Sequence, residues 1–211
     1  MKGIIFDLDG VICFTDKYHY QAWKALADRI GVEFTEQDNE RLRGVSRMAS
    51  LGIVLEKYHG PAFTQAQKET MAAEKNGIYR ELLCRMQPGD VTQEVRGTLT
   101  GLRKRGYKLS IGSSSKNARF ILERTDMTAF FDAISDGNNI SRSKPDPEVF
   151  LKAAGFLGLE PSDCAVVEDA WAGIDAAKAG GMTAVAIGSA VTSPLADFRL
   201  KRFSDLLKIF Y

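Results

Sequence analysis

The chain predicts an α/β protein: a Rossmann-like, doubly wound parallel sheet that carries a small inserted α-helical domain. Short apolar runs alternate with amphipathic helical stretches, as in parallel strands joined by crossover helices. One block, from about Thr15 to Met86, breaks that rhythm with helical spacing and no strand pattern. Several apolar runs end in acidic or hydroxyl residues, which suits the ligand-binding edge of such a sheet. The 211 residues, 45% of them hydrophobic, suffice for one large domain with an insert and a sizeable core.

Gly3-Ile4-Ile5-Phe6 reads as a buried first strand. Further strands are expected over 108–111, 129–134, 164–167 and 183–187. Between them, Val91, Val95, Leu99 and Leu102 form a helical stripe closed by Gly106. Asp146-Pro147 reads as an N-cap followed by proline at the first helical position. A further helix over 170–179 is stopped by Gly180-Gly181. Within the insert, helices are expected over 16–30, 38–55 and 65–83. The expected division is a catalytic core of 1–14 and 88–211 and a helical cap of 15–87, hinged near Phe14-Thr15 and Gln87-Pro88-Gly89.

Lys and Arg together number 28 against 27 Asp and Glu, so the whole chain has no electrostatic bias towards nucleic acid or an anionic membrane. Cys13, Cys84 and Cys164 are odd in number and widely spaced, which argues against a disulfide framework or a structural zinc site. No apolar run is long enough to span a bilayer. The expectation is a cytoplasmic monomer that binds neither nucleic acid nor membrane.

Phe6-Asp7-Leu8-Asp9-Gly10 directly follows the first strand. Two carboxylates leaving a strand two residues apart can bind a hard divalent cation, and one can attack phosphorus. The same residues also suit a plain strand-ending turn. Gly112-Ser113-Ser114-Ser115-Lys116-Asn117 offers hydroxyls, amides and a lysine to a phosphate, or equally a serine-rich helix cap. Glu168-Asp169 ends another strand as a second acidic pair, or caps the helix that follows. Lys144 lies before Pro145, placed to bridge a carboxylate and a phosphate, or merely solvated. Each feature is ambiguous alone; together they occur in the order that one active site requires.

Asp7-x-Asp9, the serine after the second strand, the lysine before proline and Glu168-Asp169 resemble the four signature motifs of the haloacid dehalogenase superfamily. That resemblance implies Asp7 as nucleophile, Asp9 as general acid and base, Ser113 and Lys144 as phosphoryl ligands, and a Mg²⁺ site of Asp7, Asp9, Glu168 and Asp169. Asp9 contributes its backbone carbonyl in that scheme. The insert is similar to the beta-phosphoglucomutase family in Thr15, His19 and Trp23, in Leu42-Arg43-Gly44-Val45-Ser46-Arg47 and in Lys75-Asn76, together with 113–117. It implies that Thr15, His19, Trp23, Arg43, Gly44, Arg47, Lys75, Ser113, Ser114, Ser115, Lys116, Asn117 and Lys144 bind a small phosphorylated sugar. Arg47 then grips the phosphate that is not reacting, and His19 is linked to the acid/base and to closure. Cys13-Phe14 before Thr15, and arginine at 43, depart from that family's pattern.

Taken alone, His19 also fits a core histidine beside Trp23, Leu26 and Ile30, and Arg43 with Arg47 a solvated helix face. The resemblance implies interconversion of beta-glucose 1-phosphate and glucose 6-phosphate through an aspartyl phosphate and a 1,6-bisphosphate. A sugar-phosphate phosphatase and a non-catalytic sugar-phosphate binder are the alternatives. The intact carboxylate set speaks against the binder, because binding alone gains nothing from a nucleophile crowded by anions.

Overall fold

The computed structural model describes residues 1–42 and 45–211. Contacts divide them into two compact units, 1–14 with 87–211, and 15–86. The first unit begins with β1 (Gly3–Phe6). The second contains α1 (Asp16–Arg29), α2 (Glu36–Glu40), α3 (Arg47–Leu55) and α4 (Gln65–Leu83). The chain then returns to the first unit with α5 (Gln93–Lys104), β2 (Lys108–Gly112), α6 (Ala118–Arg124), β3 (Ala133–Ser135) and α7 (Glu148–Leu157). It ends with β4 (Cys164–Glu168), α8 (Trp171–Ala179), β5 (Thr183–Ala186), β6 (Phe198–Arg199) and α9 (Leu206–Ile209).

Among the described residues, six strands form one parallel sheet in the order β3-β2-β1-β4-β5-β6. Chain progress runs outward from β1 through β2 to β3, then crosses back to β4 on the other side of β1. That reversal makes the carboxyl ends of β1 and β4 the topological switch point, where open α/β sheets bind ligands. The central strands are apolar without alternation because helices cover both sheet faces. Ile4, Ile5, Phe6, Ala165, Val166 and Val167 are all buried. Val149, Phe150 and Ala153 of α7 pack with Ile174 and Ala177 of α8 against Ile5, Val166 and Ala184.

The 15–86 unit has its own core, in which Trp23, Leu26 and Ala27 of α1 meet Leu51 and Val54 of α3 and Met71 and Ala72 of α4. Thr64 caps α4: its Oγ1 accepts from the Gln67 N–H while Gln67 returns the favour to the Thr64 N–H. No helix among the described residues is long and apolar enough to cross a membrane.

Several expected boundaries change. The helix expected over 38–55 is broken: α2 ends at Glu40, and Ser46 starts α3 afresh, its Oγ accepting from the Ala49 N–H at 3.3 Å. A hydroxyl that can cap competes with helix continuation. The strand expected over 129–134 shrinks to β3, because Thr128–Phe130 form a 3₁₀ turn. Pro147 occupies the N-cap position of α7, one residue later than expected, and Asp146 Oδ1 accepts from the Glu148 N–H at 3.0 Å. The two-residue β6 carries too little pattern to be seen in sequence.

Leu99 is fully buried on the stripe of α5, whereas Thr100 faces solvent. Leu99→Ala is expected to lower stability by about 2–5 kcal/mol and Thr100→Ala to change it by about 0.5 kcal/mol or less, as measured by urea denaturation; equal effects would contradict the assigned face.

Candidate active site

Register brings the motifs together. Phe6 pairs with Ile111 on one side and Val167 on the other, so the next residues along, Asp7, Gly112 and Glu168, end neighbouring strands at one level. The Asp7 N–H donates to the Val167 carbonyl at 3.0 Å, which extends the ladder by one residue. The chain then turns sharply, with the Ile12 and Cys13 N–H groups both donating to the Leu8 carbonyl. Gly10 sits in that turn at φ +84°, in the left-handed region. A side chain there would also strike the Asp169 carboxylate, so the two acidic motifs approach each other across Gly10.

Lys144 is buried between the motifs. Its Nζ donates to Asp7 Oδ1 at 2.5 Å and also to Glu168 Oε1. The ammonium lies 4.7 Å from the centre of the Phe150 ring. The peptide bond between Lys144 and Pro145 is cis. Burial opposes the Lys144 charge, but Asp7 and Glu168 outweigh it and hold the ammonium above its ordinary range. Burial, followed by Glu168 and Asp169, pushes the Asp7 carboxyl up against the pull of Lys144. Glu168 Oε2 accepts from the Ala170 N–H at 2.9 Å. Gly173 makes room for this carboxylate, since any Cβ at that position would overlap it.

The metal site implied by the resemblance, of the Asp7, Glu168 and Asp169 carboxylates with the Asp9 backbone carbonyl, falls at this edge of the sheet. Among the described residues, no three His, Cys, Asp or Glu side chains converge to hold a metal ion. Lys144 lies between Asp7 and Glu168, and the second Glu168 oxygen is taken by main chain. The donor chemistry nevertheless suits Mg²⁺: one buried ammonium faces two buried carboxylates with Asp169 close by, leaving an excess of negative charge for a hard cation to offset. Asp9 and Asp169 are half-buried beside them.

The serine loop follows β2. Ser113 Oγ accepts from the Ser115 N–H at 3.1 Å, and Ser115 Oγ from the Asn117 N–H at 3.2 Å. A hydroxyl that accepts in this way still has its own proton to donate. Ser114 Oγ is buried with no hydrogen-bond partner in the protein. Ser113 and Asn117 are buried, and Lys116 is exposed. The N-cap position of α6 is taken by Asn117 rather than by a serine.

The 15–86 unit gathers a second group. Lys75, only 2% exposed, lies with its Nζ 2.9 Å from His19 Nδ1 and 4.6 Å from the ring centres of both Trp23 and Tyr79. Tyr79 stacks on His19 at 4.1 Å between centroids and donates its hydroxyl to Thr15 Oγ1 at 3.0 Å. An ammonium can only donate, so His19 Nδ1 accepts and the imidazole carries its proton on Nε2. Burial, then Lys75, then Arg47, hold the imidazole well below its ordinary pKa, which keeps it neutral. Arg47 is half-buried at the start of α3. Trp23 belongs to the core of this unit and acts from beneath Lys75. Arg43 and Gly44 lie outside the described residues. Tyr79 and Phe150 were missed in sequence. The i,i+4 spacing of Lys75 and Tyr79 was the available signal for the first.

A haloacid dehalogenase-like hydrolase family model matches residues 1–181. The chain belongs to that family. It is 41% identical to the beta-phosphoglucomutase of Bacillus subtilis, over 98% of this chain and 92% of that one. Fructose-1-phosphate phosphatase YqaB of Escherichia coli is 30% identical over 87% of this chain and 94% of its own. Among solved structures, beta-phosphoglucomutase from Clostridium difficile superposes with a TM-score of 0.90 at 35% identity, covering 98% of this chain and 93% of that one. The chain is therefore beta-phosphoglucomutase-like within its family, and its parallel α/β fold is the one those structures share.

Lys144→Met leaves two buried carboxylates without their cation and is expected to cost about 3–5 kcal/mol in chemical denaturation; an unchanged midpoint would mean that the pair is compensated elsewhere. For His19, ¹⁵N chemical shifts are expected to report the neutral Nε2–H form at pH 7. The unfolded imidazole, with its ordinary pKa of 6.5, takes up a proton before the folded one. Its contribution to stability is therefore complete above that value and declines as pH falls below it, by up to about 1.4 kcal/mol per pH unit. Replacing His19 with Asn should flatten that part of the profile.

Proposed function

We propose that this protein is a Mg²⁺-dependent beta-phosphoglucomutase. It interconverts beta-D-glucose 1-phosphate and glucose 6-phosphate through an aspartyl phosphate on Asp7 and a 1,6-bisphosphate intermediate. The observation that carries the reading is the pair of separate cationic groups: Lys144 bound to Asp7 at the sheet edge, and Lys75 with Arg47 around His19 in the helical unit. A bisphosphate needs two phosphate sites, and one nucleophile with one lysine supplies only the first.

Asp7 attacks phosphorus, with Lys144 offsetting charge on the phosphoryl oxygens and Ser113 donating to one of them. Asp9 protonates the departing sugar oxygen and later takes the proton from the incoming hydroxyl. Asp7 and Asp169 through carboxylates, and Asp9 through its carbonyl, would hold Mg²⁺ beside Glu168. When bound, Mg²⁺ offsets charge on the phosphoryl group and Asp7. By the family resemblance the 15–86 unit is the cap domain, whose work in a mutase is to keep water from a phosphoaspartate. Arg47 grips the phosphate that is not reacting, with a fork that can make two hydrogen bonds. Thr15, His19, Lys75, Ser114, Ser115, Lys116 and Asn117 complete the sugar-phosphate contacts. A phosphatase acting on a small sugar phosphate is the second reading, favoured by the 30% identity to a fructose-1-phosphate phosphatase.

The deciding assay follows glucose 6-phosphate formation from beta-glucose 1-phosphate, with and without a trace of the 1,6-bisphosphate, alongside phosphate release. Wild type is expected to isomerise faster than it hydrolyses. Arg47→Ala should lose isomerisation by about tenfold or more, as expected for a charge-assisted hydrogen-bond pair, and should gain relatively in phosphate release. Hydrolysis without isomerisation in wild type would establish the phosphatase reading instead.

A further inference from the structure

The serine loop does not hold its shape alone. The turn over 135–139, just after β3, lies directly against it. Ser113 N–H donates to the Ser135 carbonyl at 3.0 Å, and Gly137 N–H to the Ser115 carbonyl at 3.1 Å. Asn138 Nδ2 donates to the Lys116 carbonyl at 3.0 Å. Gly137 is buried, and a Cβ built on it would fall 2.9 Å from the Lys116 nitrogen and closer still to the Ser114 carbonyl oxygen. The turn is itself fixed from within. Asp136 N–H donates to Asn139 Oδ1 at 2.6 Å, Asn138 N–H to Asp136 Oδ1 at 2.9 Å, and Asn139 Nδ2 to Ser135 Oγ at 3.2 Å.

The consequence is a division of polarity. The carbonyls of Ser114, Ser115 and Lys116 all lie against Gly137 and Asn138. In a trans peptide the following N–H points opposite to the carbonyl. Holding those three carbonyls on the turn's side therefore directs the N–H groups of Ser115, Lys116 and Asn117 away from it. Two of these N–H groups end on Ser113 Oγ and Ser115 Oγ, whose own protons are thereby left to donate elsewhere. Acceptors face the turn and donors face away, which is the arrangement an anion requires. A carbonyl released from the turn would be able to swing towards the anion and repel it.

We propose that the 135–139 turn, acting through Gly137 and Asn138, is a positioning element that sets the donor polarity of the serine loop and hence its affinity for the sugar phosphate. Neither residue touches the ligand in this role. The proposal rests on reading 113–117 as phosphate-binding.

The test measures glucose 6-phosphate affinity by titration calorimetry in Gly137→Ala, Asn138→Ala and Asn138→Gly, together with the rate at which acetyl phosphate phosphorylates Asp7. Gly137→Ala is expected to weaken binding by about tenfold or more and each Asn138 variant by about threefold, the range for a single lost hydrogen bond. Phosphorylation of Asp7 should change by less than twofold in the Asn138 variants. If Asn138 only forms a turn, glycine will serve as well as asparagine, so wild-type affinity in Asn138→Gly would overturn the proposal. A parallel loss of phosphorylation and affinity would do the same, since it marks general damage. Should Gly137→Ala fail to fold, the Asn138 pair decides. Wild type that binds glucose 6-phosphate but does not isomerise its partner sugar would remove the mutase reading while leaving this one in place.

Discussion

The site is organised around one compensated charge cluster, the Lys144 ammonium shared between the carboxylates of Asp7 and Glu168. Any of these groups alone would be costly to bury, because the interior replaces little of the hydration that an ion loses. Side-chain exposures of 2%, 10% and 1% for Lys144, Asp7 and Glu168 leave no route to compensation by bulk water. Three separate stretches of chain are thereby obliged to meet. β1 delivers Asp7, β4 delivers Glu168, and the loop before α7 delivers Lys144. Phe150, fully buried, packs its ring beneath the same ammonium. The cluster therefore belongs to the core as much as to the chemistry.

Sheet topology makes this meeting possible. β1 is flanked by β2 and β4, each parallel to it, so their carboxyl ends bring an acid, a hydroxyl loop and a second acidic pair to one edge. Small residues do the fitting. Gly10 leaves space for Asp169, and Gly173 leaves space for Glu168. In the helical unit the logic is different. There a cation is accommodated by aromatic faces, Trp23 and Tyr79, and by a neutral imidazole.

Much of this was legible in the sequence, for definite reasons. β1 and β4 are apolar runs with Asp7 and Glu168 at their ends, so strand and acidic motif were written locally. The helix expected over 65–83 coincides with α4, whose start is fixed by the Thr64–Gln67 capping box. The failures were equally physical. Ser46 reads as an acceptable helix residue until its hydroxyl is seen capping α3. Nor could sequence show that Lys144 and the Ala170 N–H would engage both Glu168 oxygens. Tyr79 shares a helix face with Lys75, but its links to His19 and Thr15 cross between α1 and α4 and exist only in three dimensions.

The way β1 is paired has a consequence for how the chain acquires this structure. Gly3 lies opposite Lys108 on one side and Cys164 on the other. During synthesis β1 emerges first, yet its neighbours β2 and β4 follow only after residues 108 and 164 have been made. The continuous 15–86 segment, with its separate core, can meanwhile consolidate through contacts close in sequence. Prior condensation of that segment shortens the effective loop that β1 must close to reach β2. The insertion thus acts as a tether whose early collapse brings β1 within reach of the strands that follow it.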